Sequence, residues 1–169
     1  MRIIITLITG LFFFTSTYAA EFGITSPRFL NNGAIPTLYT CNGNNIPPTL
    51  TWTNAPANTR AFALVISNPD STIGATFYNW VIYNIPATAT TLAEGRKLPA
   101  GTLVGNNTYG EADYAGPCPE NENVHHYYIS IYALDSTLDL YSAANPDDVM
   151  AEISDHVIKQ ATLVGTFQH

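Results

Sequence analysis

The segment Gly116–Asp135, GPCPENENVHHYYISIYALD, constrains this chain more than any other. It opens on a Pro-rich turn, carries two adjacent histidines and continues as a strand pattern over Tyr127–Leu134. Side chains of a strand alternate between faces with period two. His125, Tyr127, Ile129 and Ile131 therefore share one face, and His126, Tyr128, Ser130 and Tyr132 share the other. The first face sets an imidazole and a phenol at the start of the strand, with aliphatic side chains behind them. That is the layout of a pocket floor, apolar beneath and polar at the mouth.

Two further runs read as strong strands. Ala61–Asn68 (AFALVISN) is almost continuously apolar and bounded by turns, the pattern of a strand covered on both faces. Phe77–Ile85 (FYNWVIYNI) is aromatic and β-branched, interrupted by Asn79 and ended by Pro86. Shorter strands are predicted at Phe22-Gly23-Ile24, Leu50-Thr51-Trp52 and Thr102-Leu103-Val104, and Leu163–Phe167 could be a closing strand or an apolar tail. Asn31-Asn32-Gly33 is a turn signal, Tyr39–Pro48 is irregular, and the Gly-rich stretch Ala87–Ala115 reads as loop. It includes Asn106-Asn107-Thr108, which matches a glycosylation sequon. One helix is expected near the C-terminus. Asn145 can cap it, Pro146 suits its first position, and Asp147 and Asp148 complement its positive end. Val149, Ile153, Val157 and Ala161 then form an apolar stripe at four-residue spacing, so the pattern predicts a helix running past Val157. The whole is a mainly β chain with a C-terminal helix.

At 169 residues the chain suits one domain. Six basic residues against thirteen acidic ones argue against a nucleic-acid partner, because phosphate binding depends on clustered cations. The N-terminus reads as a targeting segment. Arg2 precedes the apolar run Ile3–Phe14, and Thr17-Tyr18-Ala19 supplies small residues for cleavage after Ala19 or Ala20. The run is short of the ~20 residues that a membrane span needs. Residues 1–20 are therefore expected to be a signal peptide rather than an uncleaved anchor, and residues 21–169 one exported domain, periplasmic or secreted. In an oxidising compartment Cys41 and Cys118 are a candidate disulfide, two free thiols being the alternative. Neither belongs to a Cys-x-x-Cys or Cys/His cluster, so no metal site is expected.

Polar groups that break apolar strands mark a candidate site. Asn68 and Asp70 lie in a Pro-fixed turn after Ala61–Asn68, and Asn79 lies inside the aromatic strand. With His125 and Tyr127 they could surround one small cavity fit for a phosphate-sized or headgroup-type ligand. The plainer alternative is that Asp70 caps its turn, Asn79 satisfies backbone groups and His125 lines a surface. His125 with Asp70 could form a general base and its orienter. No nucleophile accompanies them, and neither a Gly-x-Ser-x-Gly elbow nor a phosphate loop is present, so the chain reads as non-enzymatic and without a cofactor.

Several ordered blocks resemble one family. Asn68-Pro69-Asp70, Tyr78-Asn79-Trp80, Gly116-Pro117-Cys118-Pro119 and Val124-His125-His126-Tyr127 are similar to the signature blocks of the phosphatidylethanolamine-binding proteins. The bacterial, Raf-kinase-inhibitor-like branch is the closer match. Thr40-Cys41-Asn42-Gly43, Pro47-Pro48 and Tyr132-Ala133-Leu134-Asp135 extend the likeness over nearly the whole of residues 21–169. The resemblance implies a large central antiparallel sheet packed on a smaller one, with peripheral helices. It also implies a small cavity for an anionic ligand or phospholipid headgroup, with Asp70, Asn79, Gly116, Pro117, His125 and Tyr127 at the binding positions. Relatives suggest a second role, as inhibitor of a protease or kinase-type partner through the cavity rim and the Ala87–Ala115 loop. Asn68 stands where the family has its first acid, Thr72 where it has Pro, Asn79 where it has a histidine and His126 where it has an arginine. Losing a cation at position 79 is expected to weaken anion binding roughly tenfold, the difference between a charge-assisted and a neutral hydrogen bond.

Overall fold

The computed structural model describes residues 20–73 and 76–169, so the expected signal peptide lies almost wholly outside the described residues. Among the described residues nine strands occur in chain order: β1 Gly23–Thr25, β2 Gly33–Ala34, β3 Leu50–Thr53, β4 Ala61–Asn68, β5 Phe77–Pro86, β6 Thr91–Leu92, β7 Leu103–Val104, β8 His125–Leu134 and β9 Val157–Phe167. A short 3-10 turn covers Thr37–Tyr39, and the helix α1 is Pro146–His156.

The main sheet has six strands in the order β2-β9-β8-β4-β5-β7, and a three-stranded sheet has the order β1-β3-β6. β8 is central. It pairs antiparallel with β4 from Leu134 to Tyr128 and with β9 along its whole length. The main sheet is antiparallel except at one margin, where β2 runs parallel to Gly165–Thr166 of β9.

Alternation along β4 builds two cores. Phe62, Leu64 and Ile66 face the small sheet and pack with Leu50, Trp52, Trp80, Tyr127 and Ile129. Ala63 and Val65 face the other way and pack with Val81, Tyr83 and the helix residues Val149 and Ile153. This two-sided covering is why Ala61–Asn68 reads as a nearly unbroken apolar run.

Asn79 breaks the pattern of β5 because it is an extra residue there. Ile66 pairs with Trp80 and Ser67 with Tyr78, which leaves Asn79 as a β-bulge. The helix starts as expected, with the Asn145 side chain accepting from the Asp147 N–H. It does not run past Val157, as the apolar spacing predicts. It ends at His156, whose carbonyl accepts from the Asp135 N–H, and Val157 is already extended. The long ladder with β8 outweighs the helical spacing of Val157 and Ala161. The stretch Ala87–Ala115 also holds the two-residue strand β6, whose Leu92 pairs with Leu50 and is buried.

The helix end is testable by chemical denaturation. Ile153→Ala should cost about 2–5 kcal/mol, as for other buried aliphatic truncations. Val157→Ala, at a position 40% exposed, should stay within about 1 kcal/mol. Equal losses would place both residues on one buried helical stripe.

Candidate functional site

The site is assembled from the strands β8 and β5, the turn after β4 and the Pro-rich loop. β8 begins with His125, buried on the side of the small sheet together with Tyr127. His126 points to the opposite face and is exposed.

The turn after β4 is tied to both histidines. The Asn68 Oδ1 accepts from the Asp70 N–H at 3.0 Å, closing an Asx turn. That leaves its Nδ2 facing the His125 Nδ1, at 3.0 Å. An amide nitrogen can only donate, so Nδ1 accepts and the proton of the neutral ring sits on Nε2. Asp70 does not orient His125, as the sequence suggested. Its Oδ2 accepts from the His126 N–H at 2.8 Å and from the His126 ring at 2.7 Å. The strand's own period separates the neighbouring histidines, and the carboxylate meets the outward one. Burial alone would raise the Asp70 carboxyl. The bonds from His126 outweigh it and hold Asp70 below its ordinary value.

The Pro-rich loop forms the wall. Cys118 is joined to Cys41 across a sequence separation of 77 with Cα atoms 5.4 Å apart. A loop of that length corresponds to about 4–5 kcal/mol in the chain-entropy account. The Cys41 N–H donates to the Pro117 carbonyl, and the Tyr114 hydroxyl donates to the Tyr39 carbonyl. Gly116 is required by close approach, since a Cβ there would lie 2.5 Å from the Tyr39 carbonyl oxygen. Its N–H donates to the Asn45 Oδ1 at 2.7 Å.

Asn79 fixes this wall to β5. Its Nδ2 donates to the Ala115 carbonyl at 2.9 Å, and its own carbonyl accepts from the Ala115 N–H. The bulge residue thus satisfies backbone groups, as the plainer reading of the sequence supposes. Its Oδ1 is nevertheless buried without a partner among the described residues, and so is the Tyr127 hydroxyl. Burial raises the Tyr127 phenol well above its ordinary value; the Cys118 backbone amide, near the hydroxyl but outside hydrogen-bond geometry, opposes this, and Glu120, Asp70 and Tyr109 add to it.

Glu120 and Ser71 escaped the sequence reading. The Ser71 hydroxyl donates to the Glu120 carboxylate and so bolts the turn to the Pro-rich loop. Burial would raise Glu120, but the Ser71 hydroxyl and backbone N–H groups hold it below its ordinary value. The available signal was its place directly after Gly116–Pro119, the loop already assigned to the wall. Two ionised carboxylates therefore stand near neutral buried donors. The site residues line neither of two open cavities, of about 560 and 320 Å³. Asn68, Asn79, His125 and Tyr127 are all buried.

Residues 25–168 match the family model described as phosphatidylethanolamine-binding protein. A UPF0098 protein of Methanothermobacter thermautotrophicus is 39% identical over 144 residues, covering 83% of this chain and 94% of the relative. The lipoprotein-named LppC of Mycobacterium tuberculosis is 35% identical over 146 residues, covering 86% of this chain and 71% of LppC. Among solved structures, that of Escherichia coli YbcL, described as a new member of the mammalian PEBP family, superposes with a TM-score of 0.84. It is 30% identical, and the match covers 89% of this chain and 99% of YbcL. The Chlamydia trachomatis homologue CT736 gives a TM-score of 0.81 at 30% identity, covering 88% and 97%. These likenesses bear out the fold expected from the signature blocks.

The Asp70–His126 pair makes a signed prediction. Because folding lowers the Asp70 carboxyl, its stabilisation is present above the unfolded value of 3.8 and fades as pH falls through the lower folded value. Asp70→Asn should destabilise by about 0.2–1 kcal/mol at neutral pH, the range for a half-exposed pair. Urea denaturation should show the two proteins converging well below pH 3.8. A gap independent of pH would contradict the assignment.

Proposed function

The chain belongs to the phosphatidylethanolamine-binding protein family, and from that premise we propose that it is an exported, non-enzymatic binding protein for a zwitterionic phosphoethanolamine-type headgroup. The observation that carries this reading is the buried, unpartnered Tyr127 hydroxyl close to two carboxylates held ionised, Asp70 and Glu120. A buried polar group without a partner costs about 1–3 kcal/mol, so a ligand acceptor placed there gains more than an ordinary contact. The Tyr127 O–H and the Nε2–H of His125 are suited to a phosphate oxygen. Asp70 and Glu120 repel a bare dianion but attract an ammonium group. A headgroup bearing both charges satisfies both halves.

The non-enzymatic reading is supported by the partners in place. His125 is oriented by an uncharged amide, the Ser71 hydroxyl is engaged by Glu120, and both cysteines are spent in a disulfide. Export is supported by that disulfide and by the lipoprotein name of one relative. Among the described residues no helix is long and apolar enough to cross a membrane.

An NMR titration with phosphorylethanolamine, inorganic phosphate and acetate tests the reading. Phosphorylethanolamine should shift the amide resonances of Asp70, Glu120, His125 and Tyr127 at millimolar concentration. It should bind about tenfold more tightly than phosphate, the worth of a charge-assisted bond. Glu120→Gln should erase most of that preference. Unmoved resonances, or phosphate binding equally well, would contradict it.

A further inference from the structure

A second site lies away from the one above. The cavity of about 560 Å³ is lined by Tyr78 at the start of β5, by Asn106, Asn107 and Thr108 after β7, and by Asn145 and Asp147 where α1 begins. Its volume falls within the range of small-molecule sites. Part of its wall is the Asn106-Asn107-Thr108 triplet, which the function proposed above does not use.

Hydrogen bonds hold the walls in place. The Thr108 N–H donates to the Tyr78 carbonyl at 3.0 Å, and the Thr108 hydroxyl accepts from the Tyr78 N–H at 2.8 Å. The Asn106 N–H donates to the Ala144 carbonyl, tying the loop to the approach of the helix. Asn107 is buried and spent: its Oδ1 accepts from the Tyr109 and Glu111 N–H groups, and its Nδ2 donates to the Asp113 carbonyl. Asn145 caps the helix through its Oδ1. The Asn106 amide, the Tyr78 hydroxyl and the Asp147 carboxylate, by contrast, make no side-chain hydrogen bond to another described residue. The frame is held by hydrogen bonds, and these three groups, of which Asp147 is exposed and Asn106 and Tyr78 are half-buried, face solvent and are free to turn to a ligand in a cleft that needs no rearrangement to receive it.

The chemistry of those groups narrows the ligand. Among the described residues no cationic side chain lines the cavity, which disfavours an anion. The Asp147 charge sits in the first turn of α1, where the positive end of the helix offsets it, which disfavours selection for a cation. What remains is the Asn106 amide, the Asp147 carboxylate and the Tyr78 phenol, whose half-buried ring is the one aromatic face among the described lining residues. Such a set pairs with the hydroxyls of a neutral sugar, the ring lying against its C–H face. We infer that this cleft binds a neutral saccharide, with Asn106, Tyr78 and Asp147 as the recognising side chains. Burial and the nearby Asp147 charge both raise the Tyr78 phenol, in accord with the two facing each other.

The test is an NMR titration of the full mature chain with maltose and with N,N′-diacetylchitobiose, using choline and inorganic phosphate as controls. At least one sugar should shift the amides of Tyr78, Asn106 and Asp147 at millimolar concentration and leave those of His125 and Tyr127 in place. Asp147→Asn should weaken that binding about tenfold and Tyr78→Phe about threefold or more, while Asp148→Asn, which removes the same kind of helix-end charge outside the cavity lining, should lower the melting temperature as much as Asp147→Asn and leave the binding unchanged. Three results overturn the inference: no shift with either sugar, stronger shifts at these residues with choline or phosphate, or Asp147 and Tyr78 variants that bind as the unmodified chain does.

Discussion

The two-residue period of β8, locked by partners on both sides, is the constraint on which the rest of the site depends. A free strand could slip by one residue and exchange its faces. Here β4 and β9 fix the register along the strand. His125 and Tyr127 are thereby committed to the buried face and His126 to the outside. The turn after β4 straddles that division. Asn68 reaches the inner histidine and Asp70 the outer one, so a single short turn reads both faces of the strand. The Pro-rich loop then closes over the inner face, held by the disulfide, by Asn45 against Gly116 and by Asn79 against Ala115.

Much of this was legible in the chain. The long apolar runs became β4 and β5, the Asn-Pro-Asp-Asp sequence began the helix where expected, and the two cysteines paired. The ordered signature blocks indicated the family and its two-sheet architecture. Features set by distant partners were less legible. Val157 and Ala161 sit at helical spacing, yet a ladder with β8 makes them strand residues. β6 is two residues long and exists because Leu50 and Thr51 lie beside it. Asn79 reads as a ligand group in the sequence; its Nδ2 braces the wall from a bulge, while its Oδ1 is buried without a partner among the described residues. Asp70 meets His126 and not His125, and sequence order says nothing of which way a turn's carboxylate points. Glu120 was passed over because its partner, Ser71, is 49 residues away.

The electrostatics of the two sites differ in kind. Near Tyr127, ionised carboxylates flank buried neutral donors, an arrangement that favours a ligand carrying charges of both signs. In the cleft beside α1 a single carboxylate meets the helix's positive end, and the remaining groups are amides and hydroxyls. The scarcity of basic residues is common to both and makes simple anion capture a poor fit for either.

The central claim is that the Tyr127 hydroxyl, buried and unpartnered, is the donor around which the principal site is built. A crystal structure after soaking with phosphorylethanolamine tests it most directly. The account predicts a phosphate oxygen within hydrogen-bond distance of the Tyr127 hydroxyl and the ammonium beside Glu120. A headgroup bound elsewhere, or a Tyr127 hydroxyl already bonded to a protein group with the ligand absent, would contradict it.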